Sequence, residues 1–141
     1  MNPDLVKAKL ENLARCLARI REKTPATKEQ FLEDYDSQDL VMKNLERAVQ
    51  VCVDVANHIL SDKESPPPAS MAMAFSFLNR KAVLNRELAD KMQSTVGLRN
   101  LAVHEYESLD YGRIYDSVTA GLGVFEDYAR AILIYLKQTI L

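Results

Sequence analysis

The chain has 141 residues, of which 48% are hydrophobic and 27% charged, and its formal net charge is −2. This length favours a single domain over residues 1–141, and the acidic balance argues against a broad basic surface that would hold long nucleic acid nonspecifically. A small local basic groove remains compatible with this charge. The sequence has no run of about eighteen apolar residues, so no membrane span is indicated.

Helical periodicity dominates the chain, and clear strand alternation is absent. The first helix is predicted to run from about Asp4, a good N-cap residue, to about Glu22. The proline-containing segment Thr24–Thr27 ends it. A short helical turn is expected near Phe31.

The second helix is predicted to begin at Asp36 or Ser37 and to reach about Leu60. It carries one clear apolar stripe, and Val51 and Val53 extend its apolar character well beyond that stripe. A helix that is apolar nearly all round is buried on more than one side. Either it lies at the centre of the bundle or its second face meets another subunit.

The segment Ser61–Ala69 cannot be helical through its three consecutive prolines, and it is too short to be a convincing interdomain linker. Ser70 can cap a short helix after this loop. Asn85 then begins a further long helix that contains the apolar positions Leu88 and Met92. The pattern therefore returns to helix immediately after the loop.

The last helix is predicted to follow an N-cap within Ser108–Asp110 and to run to about Gln138. Gly121 and Gly123 fall inside it, and each costs roughly 1 kcal/mol relative to alanine, so we expect a close approach of another helix there. The sequence thus predicts an all-α fold, an antiparallel helical bundle of four long helices plus a short helix.

The two cysteines and the beginning of the chain favour the cytoplasm. Cys16 and Cys52 both fall at apolar helix positions, and we interpret them as buried free thiols in a reducing compartment. Met1–Asp4 is polar and acidic, whereas a secretory signal begins basic and then turns apolar.

The segment Leu98–Tyr106 places Arg99, His104 and Tyr106 among mostly apolar residues, and His104 is one of only two histidines in the chain. On a helical wheel Arg99 falls in the middle of the apolar stripe, so it faces either the core or a second protein surface. A charged guanidinium there needs a partner, because an unpaired buried charge costs several kcal/mol.

His104 lies about 140° from Arg99 on the same wheel, about 7.5 Å further along the axis. One regular helix cannot direct both side chains at one atom. Three arrangements could bring them together: a distorted helix end near Glu105, long side chains meeting in a groove, or a two-fold dimer that lines one cleft with both helices.

Arginine and histidine in a narrow cleft suit the cleavage of RNA. A base can remove the proton of the 2′-hydroxyl, which then attacks the neighbouring phosphorus, and arginine stabilises the negative charge of the transition state. This chemistry needs no metal ion or other cofactor. The sequence shows no evident metal site, because its two histidines lie far apart and its carboxylates lack ligand spacing.

The segment Gly97–Tyr106 resembles the signature of HEPN domains, which are helical bundles with an Arg-x4–6-His motif in which a polar residue commonly follows the arginine. Asn100 occupies that place. More narrowly, the chain resembles the HepT-type toxins of bacterial and archaeal toxin–antitoxin pairs. Arg99, His104 and Tyr106 match their fuller Arg-x4-His-x-Tyr motif in register.

The resemblance covers nearly the whole chain, because Asp54–Ile59, the length and the helix order are also similar to that family. It implies a metal-independent endoribonuclease, acting on tRNA or mRNA as a homodimer, with Arg99 and His104 in the cleft between subunits. It also implies a partner antitoxin, a minimal nucleotidyltransferase that neutralises the toxin by adding AMP to Tyr106. Asn100 and Asp54 would support the cleft.

Each of these residues also has a structural interpretation. Arg99 could form an ion pair with an inward acid such as Asp54, and His104 could cap a helix end. Tyr106 could pack at a helix end with a hydrated hydroxyl. The alternative functions are a non-catalytic nucleotide- or protein-binding accessory subunit of a nucleotidyltransferase and a plain dimerising bundle.

Overall fold

The computed structural model describes residues 1–61, 66–104 and 109–140, apart from the side chains of 102–104 and 140. Every regular element within these ranges is an α-helix, which confirms the all-α prediction and its four long helices. The helices are α1 (Pro3–Lys23), α2 (Lys28–Glu33), α3 (Tyr35–Ile59), α4 (Met71–Arg80), α5 (Arg86–His104), α6 (Tyr111–Ala120) and α7 (Gly123–Ile140). None of the described helices is long and apolar enough to cross a bilayer.

Helix α1 begins two residues earlier than the sequence predicts. The side chain of Asn2, rather than that of Asp4, is the N-cap and accepts hydrogen bonds from the backbone N–H groups of Asp4 at 3.0 Å and Leu5 at 3.2 Å. Pro3 occupies the first helical position, where its missing N–H leaves no bond unmade. Asp4 is therefore an acidic residue of the first turn, where the helix dipole favours it.

Helix α3 lies at the centre of the bundle and packs against α1, α2, α4 and α5. It begins at Tyr35, because Asp34 caps it in place of the predicted Asp36 or Ser37. Val53 is only 3% exposed, and Val51 is half-buried. The neighbouring helices thus explain the apolar excess of this helix, and the second subunit that the sequence offered as the other explanation is not needed for it.

Helices α1 and α3 run antiparallel, as two hydrogen bonds between these parts of the chain show. The backbone N–H of Asn2 donates to Nε2 of His58 at 2.9 Å, and Nζ of Lys9 donates to Oδ2 of Asp54 at 3.5 Å. Partners further along α1 thus lie further back along α3. This register sets the middle of α1 opposite the middle of α3.

The predicted last helix is divided in two, so that prediction was wrong. Gly121 ends α6, and a Cβ atom there would lie 2.6 Å from the backbone oxygen of Ser117. Gly123 begins α7, where a Cβ atom would meet nothing within 4 Å. The glycines therefore mark a break between two helices rather than a close approach to another helix.

Tyr128 of α7 joins three helices in the core. It is fully buried, its hydroxyl donates to the backbone oxygen of Cys52 at 2.8 Å, and its ring packs edge to face on Phe75 with centroids 5.6 Å apart. Cys16 and Cys52 are both buried free thiols, as predicted. Burial raises the pKa of Cys52 and that of Tyr128 well above their ordinary values.

Candidate active site

Helix α5 presents the candidate site through its inner face. Asn85 begins it as predicted, with its side-chain oxygen accepting the backbone N–H of Leu88 at 2.8 Å. Met92 is fully buried and Val96 is 5% exposed. Arg99 follows Val96 by three residues and is half-buried, so it continues this inner face as the helical wheel predicts.

The guanidinium of Arg99 is only partly satisfied. Its Nη1 donates to Oδ1 of the exposed Asn100 at 3.2 Å. Its Nε is buried and has no hydrogen-bond partner among the residues that the structure describes. A buried unpaired donor costs about 1–3 kcal/mol. The arginine thus holds a desolvated N–H group that an anionic ligand could use.

Asp54 contacts α1 rather than Arg99. Its Oδ2 lies 3.5 Å from Nζ of Lys9, and its Oδ1 accepts from Nε2 of Gln50 at 2.9 Å. The described contacts include no ion pair between Asp54 and Arg99, so they do not supply the structural explanation that the sequence offered for this arginine. The supporting role predicted for Asp54 remains a prediction.

The backbone of α5 is helical through His104, so the wheel relation between positions 99 and 104 applies to the backbone. The side chain of His104 lies outside the described residues, as does the whole of Tyr106. The predicted distortion near Glu105 lies outside them too. The roles assigned to His104 and Tyr106 therefore rest on the sequence motif.

A cleft of about 870 Å³ opens beside this part of α5 and is closed on the other side by α6 and α7. Leu98 and Leu101 contribute apolar lining, and Arg113 and Ser117 contribute polar groups, whereas Arg99 and Asn100, which stand between the two leucines in the chain, are not among the residues that line it. Its size is that of a small-molecule or nucleotide site. Sequence analysis missed this cleft, since it interpreted α6 and α7 as one continuous helix.

Within the described part of the chain, no three His, Cys, Asp or Glu side chains come together in a way that could hold a metal ion. On helix α5 the candidate site presents the guanidinium of Arg99 and the amide of Asn100. Guanidinium and amide N–H groups bind phosphate oxygens by charge-assisted and neutral hydrogen bonds.

Comparison with known proteins gives consistent results over most of the chain. A family model described as ribonuclease HepT-like matches residues 13–132. The chain is 33% identical over 129 residues to the mRNA nuclease HepT of Shewanella oneidensis, spanning 92% of this chain and 96% of that protein. It is 27% identical over 136 residues to the tRNA nuclease HepT of Aphanizomenon flos-aquae, spanning 96% of this chain and 92% of that protein.

The similarity also holds for the three-dimensional structure. The fold superimposes on the tri-AMPylated HEPN toxin of Shewanella oneidensis, solved in complex with the MNT antitoxin, with a TM-score of 0.86 and 33% identity. The match covers 95% of this chain and 99% of that toxin.

Proposed function

The chain belongs to the HepT-like ribonuclease family, and from this premise we propose how it acts. It is the ribonuclease toxin of a toxin–antitoxin pair, and it cuts RNA without a metal ion. Arg99 and His104 carry the reaction in a cleft between two copies of the chain. Its place of action is the cytoplasm, where Cys16 and Cys52 stay reduced.

The reaction is an attack of the RNA on itself. His104 removes the proton of a 2′-hydroxyl, whose oxygen forms a bond to the adjacent phosphorus while the bond from phosphorus to the 5′-oxygen breaks. The proton returns to that 5′-oxygen from an imidazolium, for which a dimer supplies a second His104. The products are a 2′,3′-cyclic phosphate and a free 5′-hydroxyl. Arg99 stabilises the charge that develops on the phosphoryl oxygens.

One observation supports this role of Arg99 above the others. The side chain lies on the inner face of α5, yet its buried Nε has no partner among the described residues and its only described bond goes to Asn100. A structural arginine is expected to be paired where it is buried. An arginine on the inner face of α5 whose buried donor has no partner among the described residues is instead ready for an anion that arrives from outside, such as a phosphodiester.

The dimer follows from the relation between Arg99 and His104. Five residues of regular helix separate their side chains by about 140° around the axis. A two-fold axis beside α5 would bring the Arg99 of one copy near the His104 of the other. Analytical ultracentrifugation of the pure protein should therefore give a dimer at micromolar concentration, and a monomer would contradict this arrangement.

The partner of this toxin is a nucleotidyltransferase antitoxin, as in the complex of the Shewanella oneidensis toxin. We propose that the antitoxin transfers AMP to the hydroxyl of Tyr106, two residues beyond His104. A bulky anion there would occupy the arginines and exclude RNA. The target is tRNA or mRNA, the substrate classes that the names of the two relatives give.

Cleavage of total RNA in excess EDTA tests the catalytic assignment. We expect Arg99→Ala and His104→Ala each to lose at least about 100-fold in rate, the usual contribution of a general acid–base or of a transition-state donor. Arg86→Ala on the same helix and His58→Ala, which changes the other histidine, are the matched controls and should cleave normally. Undiminished cleavage by both Arg99→Ala and His104→Ala would refute the assignment.

Intact mass after co-expression with the antitoxin tests the modification site. The wild type should carry one or more added AMP groups, and Tyr106→Phe should carry none. Equal addition to both would reject Tyr106. If the wild type never cuts RNA yet binds the antitoxin normally, the protein is a non-catalytic accessory subunit instead.

A further inference from the structure

A groove of about 380 Å³ lies between α1 and α3, away from the residues assigned to cleavage. Three arginines line it, Arg15 and Arg19 from α1 and Arg47 from α3, together with amide side chains that include Asn12 and Gln50. Among the described residues the lining contains no carboxylate. This is the small local basic groove that the net charge of −2 left open.

The helix geometry explains why the three arginines converge. Arg15 and Arg19 are four residues apart and so project from one face of α1. The antiparallel register sets Arg47 of α3 opposite them, since Lys9 pairs with Asp54 one to two turns away. All three guanidiniums lie close enough to influence the thiol of Cys16, which lines the groove. Burial raises the pKa of this thiol, and the positive charges of Arg47, Arg15 and Arg19 oppose that rise.

These arginines differ from three others on the surface. Arg21, Arg86 and Arg130 each lie within 4.0 Å of a carboxylate. No carboxylate of the described residues comes that close to the three groove arginines, and only Arg15 has a described side-chain bond, to Oδ1 of Asn12. Three like charges held together without a counter-charge repel one another, so their proximity favours a bound polyanion.

We propose that this groove binds the phosphodiester backbone of the RNA substrate, as a second anchoring site apart from the cleavage site. The proposal rests on the proposed function for the identity of the polyanion. Guanidinium forks suit phosphate oxygens, and the amides of Asn12 and Gln50 add neutral donors for the same strand. An acidic protein surface is the other class of partner, and the experiment below separates the two.

The test measures binding of a fluorescent 2′-O-methyl RNA oligonucleotide to the full-length protein by anisotropy. Such an oligonucleotide keeps its phosphates but has no 2′-hydroxyl to attack, so binding is observed without cleavage. The triple variant Arg15→Gln, Arg19→Gln, Arg47→Gln should bind roughly 10- to 100-fold more weakly, and its slope of log K against log salt should flatten by about 2, since each contact to single-stranded RNA contributes about 0.7.

Two further triple variants control for total charge and for shape. Changing Arg21, Arg86 and Arg130 to Gln removes the same charge elsewhere, and it should leave the slope within about 0.5 of the wild type. Replacing the three groove arginines by Lys keeps the charge and should retain most of the slope. Circular dichroism checks the fold of each variant, and each should fold because all six arginines are exposed.

An unchanged slope in the groove variant would overturn the proposal. So would normal RNA binding combined with loss of the nucleotidyltransferase in co-purification, because the groove would then be a protein interface. If the wild type binds RNA through the groove but never cuts it, the anchoring site stands and the proposed function fails.

Discussion

The substitution Arg99→Met separates a catalytic arginine from a structural one, because the two roles predict opposite changes in stability. Methionine keeps the unbranched apolar stem and has nearly the same helix propensity as arginine. It removes the buried Nε that has no partner among the described residues. Relief of that unpaired donor contributes about 1–3 kcal/mol, and the lost bond to the exposed Asn100 subtracts up to about 1 kcal/mol.

We therefore expect Arg99→Met to raise the free energy of unfolding by about 1 kcal/mol, or the Tm by about 3 °C, while RNA cleavage is lost. Urea unfolding followed by circular dichroism measures this at one fixed protein concentration, since dimerisation adds to stability. Arg86→Met on the same helix is the control. Its side chain is 88% exposed, so the change should stay within about 0.5 kcal/mol.

A loss of 1 kcal/mol or more in Arg99→Met would refute this reasoning. It would mean that the guanidinium is held by a structural partner, as in the ion-pair interpretation of the sequence. A gain in stability together with full cleavage activity would equally contradict the catalytic role.

Three further predictions concern the core and the break between α6 and α7. Tyr128→Phe removes the hydroxyl that donates to the oxygen of Cys52, and it should cost about 0.5–1.5 kcal/mol in urea unfolding; no loss would argue against that bond. Burial raises the pKa of Cys52 and of Tyr128 in the folded state, so the unfolded state releases these protons at a lower pH than the folded state does. Stability should hold at neutral pH and fall as the pH rises past about 9, whereas a constant urea midpoint up to about pH 10.5 would contradict the burial. Gly121→Ala sets a Cβ 2.6 Å from the oxygen of Ser117 and should destabilise by about 1–3 kcal/mol. Gly123→Ala has open space and should be neutral or stabilise by up to about 1 kcal/mol; equal effects of the two would refute the assignment of the break.

Sequence periodicity predicted the fold well where a helix buries a single apolar stripe, as in α1 and α5. It failed between α6 and α7, because Val118, Leu122 and Phe125 keep the spacing of a single helix across the break. Helix α6 ends at Gly121, where the backbone leaves no room for a Cβ atom, and apolar spacing does not encode that backbone geometry.

The sequence likewise predicts some features of the candidate site and not others. The inward position of Arg99 follows from its spacing after Val96, and a helical wheel is enough to predict it. The partner of Asp54 could not be predicted, since α3 is buried on several sides and the sequence does not show which neighbour each face meets. The groove of Arg15, Arg19 and Arg47 depends on the register between α1 and α3, which only the folded chain defines.

The chemistry of the cut ends tests most directly whether the 2′-hydroxyl attacks without a metal ion. Purified wild type and His104→Ala are incubated with a defined RNA in excess EDTA, and the products are analysed by mass spectrometry. We expect the wild type to yield fragments with 2′,3′-cyclic phosphate and 5′-hydroxyl ends and His104→Ala to yield at least about 100-fold less. Abolition of cleavage by EDTA, or 5′-phosphate ends from the wild type, would contradict a metal-independent attack by the 2′-hydroxyl.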